Sequence, residues 1–257
     1  MKRAARHAIR AGSIVLTGAI LGSASHATPP EPEPALPTVD DAAVALRDAA
    51  VDTFGGADAL AAFAGMRAHG EALLLLDGTR AALRLRFSPD GGMWLERRTP
   101  ERKHVSILSG PVAWGGVGRN QEALDARETR RLRLLYHHLA AAWDLAGAEP
   151  TALHRDGTSP EGWEVLTLDL PGGLHMRYFI DPGPGRLRRM EGTAPGVDTV
   201  TRSFGDFREV GSLVLPCRIT EFHGERAVRE MRFTRTAEVE SFPPGAFLPK
   251  GTDASGS

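Results

Sequence analysis

The sequence predicts a mainly β fold with some helix: an open, strongly curved antiparallel sheet, or incomplete β-barrel, of about 10–11 strands, with helices covering a hydrophobic cavity. Short segments in which apolar and polar residues alternate occupy most of the chain, and this period of two is typical of half-buried antiparallel strands. Glycine, proline and aspartate separate these segments as turn signals. Only residues 121–145 show a long helical pattern, so we expect this helix to lie over the curled sheet and enclose a cavity.

Two short helices are expected before the first strand. Residues 40–50 are rich in alanine and leucine and begin with Asp40 and Asp41, whose negative charges suit the positive end of a helix dipole. A glycine pair ends this segment, and residues 57–63 form a second helical segment. Isolated helices this short are marginal, so the apolar face of the second segment is expected to pack against another part of the fold.

The predicted strands lie on both sides of the long helix. Those before it are residues 71–76, 80–87, 93–97, 104–108 and 111–117. Those after it are residues 163–170, 174–181, 186–191, 198–207, 213–222 and 228–236. In the second strand, "RAALRLRF", the apolar residues Leu83, Leu85 and Phe87 share one face and arginines occupy the other. An Asp-Gly pair before it is a strong hairpin signal.

The long helical segment is predicted to act as a movable lid. Apolar residues recur along it at helical spacing, at Leu132, Leu135, Leu139 and Trp143. Its arginines, in "ETRRLR", are expected to face solvent on the opposite side. Displacement of this helix would then admit a ligand to the cavity.

The first 27 residues have the layout of a secretory signal peptide. A basic beginning precedes a short apolar run at residues 13–21, and Ser25-His26-Ala27 resembles a cleavage site. The run is shorter than the ~20 residues that span a bilayer, so we expect export to the periplasm, cleavage and no transmembrane segment afterwards. No cysteine follows the run, so we expect no lipid anchor.

We expect a proline-rich tether at residues 28–39, one folded domain at residues 40–249 and a flexible tail at residues 250–257. The charge balance argues against a nucleic-acid-binding protein. The full chain has 31 basic and 32 acidic residues, and loss of the four basic residues of the signal peptide leaves 27 basic residues and a net charge of −5. A nucleic-acid-binding domain usually carries a basic face instead.

No catalytic, metal or cofactor site is assigned from the sequence. Cys217, the single cysteine, alternates with Leu215 and Ile219, which is typical of a buried wall residue. His137 and His138 are adjacent on a helix and point about 100° apart, so they do not suit one metal ion. A hydrolase that assembles histidine and aspartate through folding stays open as an alternative.

Several motifs together resemble the LolA/LolB-like superfamily of bacterial periplasmic outer-membrane lipoprotein-sorting proteins. They are "FGGADALAAFAGMRAHG" at residues 54–70, "PVAWGG", "GLHMRYFIDP" leading to "GRLRRME", and "FGDFREVGSLVLPCRITEF" with a closing "FPPGAFLPK". The resemblance spans roughly residues 40–249, and Phe207 stands where the family commonly has tyrosine. It implies an open barrel whose helices cover a hydrophobic cavity that holds acyl chains.

The predicted function is therefore a soluble periplasmic carrier, not an enzyme, for an acylated ligand such as a lipoprotein or lipid, with partner proteins at the inner and outer membranes. The candidate cavity residues are Leu83, Leu85, Phe87, Trp94, Trp114, Leu135, Leu139, Trp143, Met176, Tyr178 and Cys217. A periplasmic sensor or scaffold that uses the same fold to bind a protein is the alternative, with the acidic tether and "ETRRLR" as its contact surface.

Overall fold

A computed structural model of the chain describes residues 39–249. The predicted signal peptide, the tether up to residue 38 and the tail at residues 250–257 lie outside the described residues. Within the described range, none of the helices has the length and hydropathy that a bilayer-spanning segment needs.

Four α-helices lie in the described part of the chain. They are α1 (Asp41–Thr53), α2 (Ala57–Ala62), α3 (Ala126–Leu139) and α4 (Ala141–Ala146). Asp40 caps α1, since its carboxylate accepts a hydrogen bond from the Ala43 N–H at 3.0 Å. Asp125 caps α3 in the same way, accepting from the Glu128 N–H at 2.8 Å.

The predicted open antiparallel sheet is confirmed, and it has 13 strands in the order β6-β5-β4-β3-β2-β1-β13-β12-β11-β10-β9-β8-β7. The strands are β1 (Met66–Leu74), β2 (Arg80–Ser88), β3 (Gly92–Arg98), β4 (Lys103–Ser109), β5 (Val112–Val117), β6 (Asn120–Ala123), β7 (Leu153–Thr158), β8 (Glu164–Leu170), β9 (Leu174–Ile180), β10 (Leu187–Ala194), β11 (Val197–Val210), β12 (Leu213–His223) and β13 (Arg226–Glu238). Because β1 pairs with β13, a hairpin-connected series from each end of the chain joins at the centre of one sheet.

The predicted strand number of 10–11 was too low, since β6 and β7 are additional strands. β6 is the short polar segment "NQEA", and all residues of β7 after its first are exposed, so neither shows an apolar alternation. Both strands lie at the two edges of the sheet, where polar residues are usual.

The predicted helix at residues 121–145 was too long. Its first residues belong to β6, α3 starts only at the Asp125 cap, and Ala140 separates α3 from α4. The alanine-rich sequence hides this break because alanine favours helix on both sides of it.

The helices pack on one face of the sheet, here called the inner face. Helix α3 contacts β4, β5, β10 and β11, and α1 contacts β7 and β8. Leu83, Leu85 and Phe87 point to the inner face and are buried. On the outer face, arginines cover aromatic rings, as where Arg189 lies 4.0 Å from the centre of the Phe179 ring.

Candidate functional site

A cavity of about 590 Å³ lies between α3 and the inner face of the sheet. Its apolar side is formed by Leu95, Leu124, Leu132 and Leu135. Its basic side is formed by Arg97, His104, Arg131, Arg202 and Arg229. We call this space the arginine cavity. Its volume lies within the range of about 300–1,000 Å³ that is typical of ligand pockets.

The curvature of the sheet brings these basic residues together. Arg97 lies on β3 and Arg229 on β13, and β2 and β1 separate these two strands in the sheet order. Arg131 comes from α3, which lies across the inner face. The arginine cavity therefore combines residues from distant parts of the chain, and Arg131, being exposed, marks its opening to solvent.

Two of the arginines share one buried carboxylate. Arg202 is 2% exposed, and its Nε and Nη2 donate to Glu221 Oε2 at 3.1 and 2.6 Å. Arg229 Nη2 donates to the same oxygen at 2.5 Å. Within residues 39–249, Arg202 Nη1 and Arg229 Nε find no hydrogen-bond partner. One negative charge thus faces two positive charges, so one positive charge is in excess and donor capacity is left over.

Burial and charge act against each other in this network. Burial by itself would raise the pKa of Glu221, but the charges of Arg202 and Arg229 outweigh it and lower that pKa to about 2. Burial lowers the pKa of Arg202 to about 10, with Arg229 and Arg131 adding repulsion. The pKa of Arg97 is also lowered, first by burial and then by the charge of Arg229. With a pKa of about 10, Arg202 stays charged at neutral pH.

Behind the arginine cavity, α3 lies very close to β10. A Cβ atom at Gly192 would come within 2.8 Å of Leu134 Cδ2 and 3.0 Å of His138 Cε1. His138 is 1% exposed, and its Nδ1 hydrogen-bonds to the Leu134 carbonyl. Burial lowers the pKa of His138 to about 3, so its ring is neutral at physiological pH.

A second part of the inner face, below the junction of α3 and α4, is filled by aromatic rings. Phe87 lies 5.4 Å from both Tyr136 and Trp143, measured between ring centres, and Phe63 lies 5.4 Å from Trp143. The Trp143 indole donates to the Leu60 carbonyl at 3.0 Å. We call Phe63, Phe87, Tyr136 and Trp143 the packed region.

Of the predicted cavity residues, Leu135 lines the arginine cavity. Six others are buried in the core of the inner face: Leu83, Leu85, Phe87, Met176, Tyr178 and Cys217. Leu139 and Trp143 pack against that core. The structure therefore brings these nine residues to the helix side of the sheet.

Trp94 and Trp114 lie on the outer face instead. Trp94 stands between Met93 and Leu95, both of which belong to the core, so its own side chain points the other way. Arg86 covers the Trp94 ring at 5.0 Å. Trp114 pairs in register with Ile107, which in turn pairs with Trp94, so all three share the outer face.

Sequence reasoning missed the arginines, although a signal for Arg202 was present. Arg202 stands between Val200 and Phe204 in a strand of alternating period, and both of these neighbours point to the core. An arginine in an inward position, facing a glutamate on the next strand, is the pattern of a buried ion pair.

The residues considered for catalysis are placed unfavourably for it. Cys217 is 1% exposed, and burial raises the pKa of its thiol, which disfavours the nucleophilic thiolate. His137 Nδ1 lies 3.0 Å from Asp144 Oδ2 beside a small pocket near Tyr136. Among the described residues that line this pocket there is no serine, threonine or cysteine. Within residues 39–249, no group of three His, Cys, Asp or Glu side chains is placed to hold a metal ion.

Comparison with known proteins identifies solved structures that have a similar fold. No family model and no curated protein sequence matches the chain. A LolA superfamily protein from Nitrosomonas europaea superposes with a TM-score of 0.51 at 12% identity, covering 80% of this chain and 96% of that chain. An outer membrane lipoprotein-sorting protein domain from Vibrio parahaemolyticus gives 0.50 at 11% identity, covering 79% and 97%.

A DUF1329 family protein from Desulfovibrio piger superposes with a TM-score of 0.52 at 8% identity, covering 80% of this chain and 96% of that chain. At these identities the likeness shows the fold alone. The superpositions show that this chain shares its fold with the LolA superfamily protein and the lipoprotein-sorting domain.

Proposed function

We propose that this protein is a periplasmic carrier that binds an acylated ligand, either a lipoprotein or a lipid. The observation that carries the proposal is the arginine cavity, an unfilled space of about 590 Å³ with an apolar side, held between a helix and an open sheet. A fold shared with a lipoprotein-sorting protein domain supports it. Each methylene group that an acyl chain buries would contribute about 0.8 kcal/mol to binding.

Helix α3 is the part of the protein that would move. Leu132 and Leu135 face the cavity from α3, so displacement of this helix would widen the apolar surface. Its described polar contacts with the strands and their turns come from Arg127, Arg133 and Tyr136; Arg127 lies 3.9 Å from Asp198 on β11, and the Gly91 N–H donates to the Tyr136 hydroxyl at 2.9 Å. The Tyr136 hydroxyl donates to the Pro89 carbonyl at 2.5 Å, and Arg133 Nη2 donates to the Pro111 carbonyl at 3.0 Å.

The cellular setting belongs to the same proposal. The signal-peptide pattern at residues 1–27 favours export, and the missing cysteine after its apolar run favours an unanchored protein. Such a carrier needs one partner that loads it at the inner membrane and one that receives the ligand at the outer membrane. The buried thiol of Cys217 supports a binding protein rather than an enzyme.

The test is ligand extraction followed by binding measurements. Protein purified from the periplasm is extracted with organic solvent for mass spectrometry, and the stripped protein is titrated with a fluorescent fatty acid. We expect copurified lipid and saturable binding. Leu135→Gln, in the cavity, should weaken probe binding about tenfold, while Leu76→Gln, at an exposed leucine, should leave it unchanged.

Empty protein that does not bind the probe would overturn the carrier proposal. If a protein partner were then captured, and charge reversal of Arg130 and Arg131 abolished that capture, the sensor or scaffold alternative would replace it. Thermal unfolding of both leucine variants ensures that a loss of probe binding reflects the cavity and not the fold.

A further inference from the structure

We propose that the arginine cavity binds a phosphate group, so that the ligand is an anionic, phosphate-bearing amphiphile and not a neutral acyl chain. The proposal of an anion site is argued from the charges and contacts of the residues that line the cavity. The assignment of the phosphate to a lipid headgroup rests on the proposed carrier function.

The first argument is the charge of the cavity. Four arginines line it, and two glutamates accompany them: Glu128 on the exposed rim and Glu221 behind Arg202 and Arg229. Positive charge is therefore in excess. The chain as a whole has a net charge of −1, so this excess is a local feature and not a reflection of composition.

The second argument is the unused donors. Within residues 39–249, the side chains of Arg97 and Arg131 form no hydrogen bond and no ion pair. Arg202 is 98% buried, and its Nη1 has no partner; the same holds for Arg229 Nε. Two arginines outside the cavity are paired instead, Arg177 with Glu191 at 2.8 Å and Arg188 with Asp181 at 2.7 Å, although Arg177 Nε also has no hydrogen-bond partner among the described residues.

The third argument is energetic. Like charges gathered in a partly buried space repel one another, and a buried donor without an acceptor costs free energy. An anion in the cavity would remove both penalties. Guanidinium groups match the oxygens of phosphate in fork-like pairs, and several arginines suit a group with several oxygens and more than one negative charge.

The apolar side makes the expected ligand an amphiphile. Leu95, Leu132 and Leu135 line the same space as the arginines. A free phosphate ion would leave this apolar wall in contact with water. A phosphate headgroup with an attached chain would contact the arginines and the leucines at once.

The test compares four ligands by calorimetry on the full mature chain: octyl phosphate, octanol, inorganic phosphate and a fatty-acid probe. We expect octyl phosphate to bind about tenfold more tightly than octanol or inorganic phosphate, and added salt to reduce this preference. Arg97→Gln and Arg131→Gln should each weaken octyl phosphate binding about tenfold and leave octanol binding unchanged. Arg84→Gln, on the outer face, is the matched control and should change nothing.

The outcomes separate the two proposals. Equal affinity for octyl phosphate and octanol, together with unchanged octyl phosphate binding in Arg97→Gln and Arg131→Gln, would overturn the phosphate site. The carrier proposal would still stand. Binding of inorganic phosphate as tightly as octyl phosphate, with no binding of octanol or the fatty acid, would support a phosphate site but overturn the carrier function. The half-buried Arg97 and exposed Arg131 are chosen because neither belongs to the Glu221 network that holds the strands together.

Discussion

The packed region and the arginine cavity lie on the same face of the same sheet, and α3 contributes to both, yet they are built in opposite ways. In the packed region the rings of Phe87, Tyr136 and Trp143 fill the space between helix and sheet. In the arginine cavity the space is open, and Arg97 and Arg202 bring charge into it.

Under the proposed function, this difference separates residues that stabilise the fold from residues that would contact a ligand. Close packing of aromatic rings is favourable without any further component. A cluster of arginines whose hydrogen-bond donors have no acceptor costs free energy unless an anion binds to it. Natural proteins keep such unfavourable arrangements mainly at functional sites, and substitutions in the two regions should therefore have opposite consequences.

The largest effect is expected in the packed region. Trp143→Ala should lower the free energy of unfolding by about 3–4 kcal/mol, because it removes a ring that touches Phe63 and Phe87 and leaves a cavity. Denaturant unfolding measures this loss. Trp94→Ala, on the outer face beside Arg86, is the matched control and should cost clearly less. An equal loss of unfolding free energy in Trp143→Ala and Trp94→Ala would contradict the distinction between the inner and outer faces.

The next effect concerns the carboxylate behind the arginine cavity. Glu221→Gln should lower the free energy of unfolding at pH 7 by about 3 kcal/mol, because Arg202 and Arg229 lose their shared charge partner. The pKa of Glu221 falls from its ordinary 4.5 to about 2 on folding. Its contribution is therefore complete above about pH 5 and is lost as the pH falls toward 2.

Unfolding of both proteins at several pH values between 7 and 2 tests this. The stability difference between wild type and Glu221→Gln should shrink as the pH falls through that window. Glu191→Gln, which breaks a partly exposed pair with Arg177, should cost at most about 1 kcal/mol. A difference that stays constant with pH would contradict the assignment of the low pKa to Glu221.

A smaller effect is expected at the core cysteine, which lies outside both regions. Cys217→Ala should lower stability by about 1 kcal/mol and leave ligand binding intact, because the thiol only fills space beside Leu215 and Ile219. Cys217→Ser should cost modestly more, since it buries a hydroxyl. An alanine variant that folds normally but is functionally dead would restore a chemical role for this thiol.

The smallest effect has the opposite sign. Arg97→Gln should raise the stability of the ligand-free protein, by up to about 0.5 kcal/mol, because it relieves repulsion from Arg229. Thermal unfolding without ligand measures the stability of the empty protein, and thermal unfolding with octyl phosphate measures how much the ligand stabilises it. The variant should be more stable than wild type when empty and less stabilised by the ligand. Loss of stability in the empty state would mean that Arg97 supports the fold.

The sequence predicted the fold better than the site because strand patterns are local and the cavity is not. The alternation in "RAALRLRF" is sufficient to place Leu83, Leu85 and Phe87 on the inner face. The edge strands β6 and β7 carry no such alternation, and the break at Ala140 lies within a run of helix-forming residues. Local patterns therefore give the sheet but not its edges or the division of the long helix.

For the site, the local rule that arginine faces solvent was misleading. Arg131 does reach solvent, but it also lines the cavity, where Arg97 and Arg229 meet it from strands on different sides of β1 and β2. That meeting depends on the curvature of the sheet, which no single segment encodes. Trp94 and Trp114 illustrate the reverse error, since bulky rings suggested a cavity wall and the strand register turns them outward.

Gly192 allows α3 to lie close to the sheet. The missing side chain lets Leu134 and His138 of α3 rest directly on the backbone of β10. Each carbon added at position 192 would collide with these side chains and move the helix away from β10 by a fraction of an ångström. A series of substitutions from glycine through alanine to valine would then widen the spacing between α3 and the sheet without altering any residue that lines the arginine cavity.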